Sequence, residues 1–236
     1  MTRPVFAIRP EPGLAATVSL ARASGLDVVA EPLSEVCPVA WTPPSDGSFD
    51  SLLFGSANAI RHGGEALRRW RGRSAYVVGE TTAEVAREAG FAIARTGSGG
   101  LQALLDELAP GARQMRSHGA GDMRLLRLAG ERHLPLAVPE GITIQTIVIY
   151  RVVHLPVPET LERRLREGGT VLLHSAEAAR HFADECERLA LDRSLLAVAA
   201  LSPRIAEAAG PGWRRIAASP TPADGALLEL ARDMCH

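Results

Sequence analysis

The sequence contains no lysine, and all 26 of its basic side chains are arginines. The absence of lysine excludes Schiff-base catalysis, covalent attachment of pyridoxal phosphate and the phosphate-binding lysine of a P-loop. Arginine, by contrast, binds carboxylates through two parallel hydrogen bonds. The basic side chains therefore favour recognition of anions.

Cysteine and metal-binding spacings are also scarce. Cys37, Cys186 and Cys235 lie far apart and form no C-x-x-C pair, so we predict neither a disulfide framework nor a zinc site. The sequence has no H-E-x-x-H, G-x-G-x-x-G or G-x-S-x-G motif. We therefore expect no metal, no cofactor and no hydrolase triad.

Charge and hydropathy exclude two further classes. The net charge of the 236 residues is −1, so the sequence lacks the excess of positive charge that is typical of nucleic-acid-binding proteins. No apolar run approaches the roughly 20 residues that span a bilayer, and the N-terminus lacks the apolar core of a signal peptide. We expect a cytoplasmic protein that binds neither nucleic acid nor membrane.

What the sequence does contain is an internal repeat. Residues 52–62 (LLFGSANAIRH) are similar to 172–181 (LLHSAEAARH), and 76–90 (YVVGETTAEVAREAG) are similar to 196–210 (LAVAALSPRIAEAAG). The spacing of about 120 residues is too long for a solenoid and fits two related α/β halves. Two such halves usually enclose a cleft that binds a small molecule.

Apolar patterns alternate between strand and helix along the chain. Residues 4–9 predict a buried strand, 14–24 a helix ended by Gly25, and 26–33 a second strand. Such βαβ units imply parallel sheets. We predict an α/β fold of two related parallel-sheet domains, joined by a two-stranded β tether, with a cleft between the lobes.

The same patterns give the remaining elements. Further strands are predicted at 51–56, 74–79, 91–96, 124–131, 170–175, 194–200 and 214–219, and helices at 57–70, 82–89, 101–109, 176–190, 203–209 and 224–234. Thr81 and Glu84 fit a capping box. The run 142–158 exceeds the five or six residues of a typical strand, so it predicts the tether, with 31–41 as its partner.

Polar residues stand at the predicted strand-to-helix junctions. Ser56, Ser175 and Ser202 each precede a helix, where a capping role is the default, and Thr82 follows the turn at Gly79. Ligands bind beyond the carboxyl ends of parallel strands, and helix N-termini attract anions. These residues are therefore also candidates for ligand binding.

Tyr150 is one of only two tyrosines and stands in the tether strand next to Arg151. Its ring can serve packing alone. It can equally place a hydroxyl at the mouth of the predicted cleft, and the sequence leaves both roles open.

In their order, these segments resemble the uroporphyrinogen-III synthase family. The family patterns TRPxxG, FTSxNAV and VGxxTAxxAxxxG are similar to AIRPEPG at 7–13, LLFGSANAI at 52–60 and VGETTAEVAREAG at 78–90. Its VxxYR strand and PTxxxALL helix are similar to IVIYR at 147–151 and PTPADGALLEL at 220–230. The resemblance runs nearly from end to end.

The resemblance implies a domain division and a reaction. It assigns 1–31 with 159–236 to a discontinuous first lobe, 46–141 to a second lobe, and 32–45 and 142–158 to linker strands. The implied reaction is a cyclising lyase step of haem biosynthesis. It closes hydroxymethylbilane to uroporphyrinogen III, inverts the last pyrrole ring and releases water without a cofactor.

The resemblance also implies roles for individual residues. By position, Tyr150 matches the family tyrosine proposed to assist departure of the substrate hydroxyl. The implied substrate-binding residues are Arg9, Ser56, Asn58, Thr82, Arg151, Ser175 and Ser202. Arg61 and Arg180 are further candidates for the substrate carboxylates.

The second copy of the repeat departs from the family pattern, with HSAE at 174–177 and AALS at 199–202. LAG at 128–130 also stands where the family has LRG. These departures leave open a non-catalytic bilobed relative that binds a tetrapyrrole or another anion. Fold analogy alone leaves a sugar- or nucleotide-binding protein. We expect a monomer that binds hydroxymethylbilane and contacts the preceding or following pathway enzyme.

Overall fold

A computed structural model describes residues 3–235. Its strands are β1 (Val5–Ala7), β2 (Val28–Ala30), β3 (Ser34–Pro38), β4 (Ser51–Phe54), β5 (Ser74–Val78), β6 (Ala92–Gly97), β7 (Met123–Gly130), β8 (Ile142–His154), β9 (Gly169–Leu173), β10 (Leu196–Ala200) and β11 (Arg215–Ala218). Its α-helices are α1 (Gly13–Ala23), α2 (Ala57–Arg61), α3 (Gly64–Arg68), α4 (Glu80–Glu88), α5 (Leu101–Ser117), α6 (Glu159–Arg166), α7 (Ala176–Arg188), α8 (Pro203–Ala208) and α9 (Asp224–Met234).

The chain forms two compact units. The first unit comprises Met1–Glu35 and Val153–His236, and the second comprises Val36–Val152. The chain passes from one unit to the other within β3 and again within β8. Within residues 3–235, no helix combines the length and the apolar character that crossing a membrane requires.

The first unit contains a parallel sheet in the order β11-β10-β9-β1-β2. Successive strand residues point to opposite faces, so Phe6 packs with Phe182 on one face while Val5 packs with Leu227 on the other. β9 is buried along its whole length, as expected of a central strand covered by helices on both faces.

The second unit contains a six-stranded sheet in the order β3-β8-β7-β4-β5-β6, in which β8 through β6 pair in parallel. One face packs around Trp70 and Phe54, and the other packs on Leu104 and Leu105 of α5. β3 lies at the edge of the sheet and is hydrogen-bonded to β8.

The two sheets have equivalent strand orders. The repeat strand β4 lies between β7 and β5, and its counterpart β9 lies between β1 and β10. This confirms the predicted α/β fold with related parallel sheets. In each unit the chain reverses its direction across the sheet next to this strand, and ligands of open α/β sheets bind at such switch points.

Two helical predictions were wrong in detail. The helix predicted at 57–70 is two short helices, α2 and α3, because Gly64 adopts a positive φ of 64° that interrupts the helix. The capping box was also wrong. α4 begins at Glu80, with Gly79 as its N-cap and no side-chain capping bond, so Thr81 lies inside the helix.

Two more helices differ from the prediction. α5 continues through Pro110 to Ser117, and the burial of Ala112 shows that its second half still packs on the sheet. α6 was not predicted at all. It buries Leu161 and Leu165, which stand one helical turn apart.

Candidate functional site

Ser56 and Asn58 lie at the carboxyl edge of the second unit, where its parallel strands end. Ser56 follows β4 in an extended conformation and caps α2, and its Oγ accepts a hydrogen bond of 3.2 Å from the backbone N–H of Asn58. β4 borders the switch point of this sheet. Ser56 therefore has a defined structural role at the position where a ligand is expected.

The turn between β5 and α4 is built on Gly79. Its φ of 80° and ψ of 147° fall in a region that only glycine adopts readily. Thr82 is only 6% exposed and lies on the same buried face of α4 as Ala83 and Ala86. Most of its side chain is therefore directed into the unit rather than to solvent.

Tyr150 is half-buried and its ring covers Gly130 at the end of β7. A Cβ at position 130 would lie 2.7 Å from the tyrosine ring, so the close approach requires glycine. The pairing of β7 with β8 shifts between Ala129 and Gly130, which brings Gly130 opposite Tyr150. The tyrosine thus combines a packing role with a position at the carboxyl edge.

His62, which ends α2, lies beside this tyrosine. The two ring centroids are 6.3 Å apart. Burial lowers the pKa of His62, and the positive charge of Arg61 lowers it further. A neutral imidazole therefore accompanies Tyr150 at physiological pH.

Arg9 lies at the carboxyl edge of the first unit and is held by an ion pair. Its Nη1 lies 2.9 Å from Oδ2 and 3.1 Å from Oδ1 of Asp224, which opens α9. The Thr17 hydroxyl lies 2.8 Å from the same Oδ2. The predicted substrate-binding arginine thus already has a carboxylate partner in the protein.

His174 completes this cluster. Its side chain is 6% exposed, and Nε2 lies 3.3 Å from Oδ1 of Asp224, although neither ring nitrogen forms a hydrogen bond with any described residue. Burial is the main cause of its lowered pKa. Burial alone would raise the pKa of Asp224, but His174, Thr17 and Arg9 outweigh it and lower the value to about 2.

The sequence analysis did not predict that these side chains form a cluster. Arg9 and Asp224 are separated by 215 positions, and only the folded sheet brings them together. A signal was present for two of its members, because Arg9 follows β1 and His174 follows β9, and the carboxyl ends of these strands meet at one edge of the sheet.

The two serines of the second copy differ in their hydrogen bonds. Ser175 is exposed and caps α7, with Oγ accepting a 3.1 Å bond from the N–H of Ala178. Ser202 is the N-cap of α8 and precedes Pro203, but its side chain makes no capping bond. The hydroxyl of Ser202 is therefore not engaged in helix capping.

Three further arginines contrast with Arg9. Arg61, Arg151 and Arg180 are exposed, and none of them forms a side-chain ion pair or hydrogen bond with another described residue. Arg61 and Arg180 occupy equivalent positions in the two copies of the repeat. These side chains can bind carboxylates without first breaking a bond in the protein.

The cysteines and acidic residues indicate no metal centre in the described part of the chain. Cys37, Cys186 and Cys235 are unpaired, and burial raises the pKa of Cys186 to about 12. Within residues 3–235, no group of three His, Cys, Asp or Glu side chains is arranged to hold a metal ion.

Two related parallel sheets, each with polar side chains at its carboxyl edge, define an α/β protein of the class that binds small molecules beyond its strand ends. A family model described as uroporphyrinogen-III synthase HemD matches residues 15–229. Because this match covers most of the sequence, the chain belongs to the uroporphyrinogen-III synthase family.

Solved structures show the same fold. The chain is similar to uroporphyrinogen-III synthetase from Helicobacter pylori 26695, at 16% identity and a TM-score of 0.64, over 99% of this chain and 100% of that one. It is also similar to a mutant uroporphyrinogen III synthase from the extremely thermophilic bacterium Thermus thermophilus, at 17% identity and a TM-score of 0.54, over 96% of each chain. A comparison with curated proteins gives no match.

Proposed function

We propose that this chain is a uroporphyrinogen-III synthase, a lyase that closes hydroxymethylbilane to uroporphyrinogen III with inversion of the last pyrrole ring and loss of water. The observation that carries the proposal is the family match over residues 15–229. Neither the comparisons nor the structure favours a non-catalytic relative or a sugar-binding protein.

The chemistry requires positioning more than reactive groups. Loss of the substrate hydroxyl as water leaves a resonance-stabilised azafulvene cation. Attack by the substituted carbon of the last pyrrole gives a spiro intermediate, which fragments and recloses with that ring inverted. The protein must hold a flexible molecule with eight carboxylates in one conformation and supply a proton to the departing hydroxyl.

Tyr150 is the proposed proton donor. Its ring is held in place over Gly130 and beside His62, while the side chain remains only half-buried. A fixed phenol at the carboxyl edge can donate a hydrogen bond to the hydroxyl as it leaves.

The proposed carboxylate-binding groups lie at the edges of both sheets. Arg61, Arg151 and Arg180 supply positive charge that the described residues do not neutralise. The remaining predicted substrate-binding residues at the helix N-termini are Ser56, Asn58, Ser175 and Ser202. Thr82 contributes less in this proposal, because its side chain is directed into the unit. Arg9 contributes less in this proposal, because it would have to exchange Asp224 for a substrate carboxylate.

The proposal extends to partners and location. We infer a monomer that works in the cytoplasm and receives its unstable substrate from the enzyme that makes hydroxymethylbilane. The unpaired state of its three cysteines supports a reducing compartment. Light scattering at micromolar concentration tests the monomer, and a stable dimer would contradict it.

A product assay tests the function. Purified protein is given freshly prepared hydroxymethylbilane, the product is oxidised, and porphyrin isomers I and III are separated by chromatography. We expect isomer III in excess over a protein-free control. Isomer I alone, formed at the spontaneous rate by folded protein, would contradict the proposal.

A further inference from the structure

Arg127 in β7 is a buried cation that has no acidic partner among the described residues. It is 6% exposed, and its Nη1 donates a 3.0 Å hydrogen bond to the carbonyl of Leu134, while its Nε has no partner within residues 3–235. Burial lowers the pKa of its guanidinium, and the nearby Tyr150 hydroxyl partly opposes this shift. A buried charge without a counter-charge is energetically unfavourable.

The hydrogen bond of Arg127 reaches a turn that is itself hydrogen-bonded to Tyr150. The backbone N–H of Glu131 donates a 2.9 Å hydrogen bond to the carbonyl of Tyr150. His133 Nδ1 lies 2.9 Å from the carbonyl oxygen of Gly130, and Arg127 donates its hydrogen bond to the carbonyl of Leu134. Residues 130–134 therefore connect the buried guanidinium to the backbone of Tyr150.

The same turn also supports the tyrosine ring, because Gly130 is the residue that the ring covers. If the turn becomes more mobile, the hydrogen bond from Glu131 to the Tyr150 carbonyl and the packing of the tyrosine ring on Gly130 both become less well defined. Displacements of about 1 Å at a reacting group can cost on the order of 100-fold in rate.

We propose that Arg127 is a positioning residue, which fixes Tyr150 for the reaction by holding the turn 130–134. The inference rests on the proposed synthase function. It explains why a buried arginine without a carboxylate partner stands at a position where an apolar side chain would pack without the cost of burying a charge.

Stability and activity separate this role from a purely structural one. Replacing a buried, poorly compensated charge by an apolar side chain of similar size is often neutral or stabilising. We therefore expect Arg127→Met to melt at or above the wild-type temperature while turnover falls about tenfold and KM changes less than twofold. Arg127→Lys, which can still donate to Leu134, should recover part of the lost turnover.

Gln102→Ala is the matched control. Gln102 holds Ala137 at the far end of the same loop through two 2.9 Å hydrogen bonds, away from the residues that contact Tyr150. This variant should keep turnover within twofold of the wild type. Equal losses in Gln102→Ala and Arg127→Met would show that any loosening of the loop has the same effect, which would overturn the inference.

The decisive experiment combines Arg127→Met with Tyr150→Phe. We expect the double variant to turn over within twofold of Tyr150→Phe alone, because both changes remove the same contribution, that of a correctly placed Tyr150 hydroxyl. The inference would be overturned if the turnover losses of the two single variants multiplied in the double variant, if Arg127→Met were unfolded, or if Arg127→Met were fully active. In each of these cases an active wild type would leave the proposed function standing. A wild type that yields only isomer I would overturn both.

Discussion

The carboxyl edges of the two units have equivalent topology but differ in how their polar groups are used. In the first unit, Arg9 and Thr17 both bond to Asp224, so this charged pair is already satisfied within the protein. In the second unit, Tyr150 and Arg127 have few partners of their own. We infer that the Arg9–Asp224 pair serves mainly stability, whereas Tyr150 is available for the proposed chemistry.

The strand-to-helix turns show a second difference. Gly79 leads into α4 with a backbone that only glycine adopts readily, while the equivalent Ala199 remains inside β10, and the extended Ser202 leads into α8. Both turns serve the same topology. The glycine is thus required by one particular turn and not by the fold.

The largest effect should come from breaking the glycine turn. Gly79→Val places a β-branched side chain at φ 80°, which should cost about 2–3 kcal/mol of unfolding free energy. Gly47→Val is the control, because Gly47 has an ordinary φ and open space around it. Denaturant unfolding measures both variants, and equal stabilities would contradict the need for glycine at position 79.

Asp224→Asn should have the next largest effect. Losing the charged partner of Arg9 should cost about 2 kcal/mol at pH 7. Because the folded pKa of Asp224 is lowered to about 2, its stabilisation is complete above its unfolded pKa and is lost as the pH falls toward 2. The difference between wild type and variant should therefore shrink from pH 4 to pH 2.

Glu65→Gln provides the control for this acid-linked effect. Glu65 pairs with Arg68 on the surface, where an ion pair contributes about 0.5 kcal/mol. Urea titrations at several pH values compare the two variants. If the loss of unfolding free energy in Asp224→Asn did not change with pH, the charge of Asp224 would not be the source of its stabilising effect.

Tyr150→Phe tests the chemical role proposed for Tyr150. We expect turnover to fall about tenfold, which corresponds to about 1.4 kcal/mol of barrier, because the proposed proton donor is removed. The melting temperature should stay unchanged, since phenylalanine keeps the ring over Gly130. Tyr76→Phe removes the other tyrosine and should keep normal turnover. Equal turnover of Tyr150→Phe and wild type would remove the hydroxyl from the mechanism.

The smallest effect should come from the exposed arginines. Arg61→Gln and Arg180→Gln should each raise KM by about two- to threefold, and the increase should weaken at high salt because exposed charges are screened. Arg68→Gln is the matched control, since Arg68 is exposed but pairs with Glu65. Steady-state kinetics at two salt concentrations decide the point, and identical KM values for all three variants would contradict carboxylate binding.

Local pattern predicted most of the fold. The alternation of apolar strands and capped helices gave the parallel sheets, because each βαβ unit carries its own periodicity. Helix α6 was missed although Leu161 and Leu165 stand at helical spacing, since its many charged residues masked the apolar face. The starts of α3 and α4 depended on the backbone angles of single glycines, which residue patterns do not specify.

The candidate site was less predictable. Tyr150 could be singled out because it is one of only two tyrosines, and Ser175 because it immediately precedes a helix. The ion pair of Arg9 with Asp224 depends on which strands become neighbours, so no local pattern reveals it. The contact of Arg127 with Leu134 likewise arises from the path of a loop that has no repeating pattern.

The most direct measurement follows the formation of isomers III and I side by side for wild type, Tyr150→Phe and Asp224→Asn, below the melting temperatures of all three. We predict that wild type and Asp224→Asn form isomer III at rates within about twofold of each other, and that Tyr150→Phe is about tenfold slower. Spontaneous isomer I alone from the wild type, or a rate for Asp224→Asn as low as that of Tyr150→Phe, would contradict this division between a stabilising Arg9–Asp224 pair and a chemical role for Tyr150.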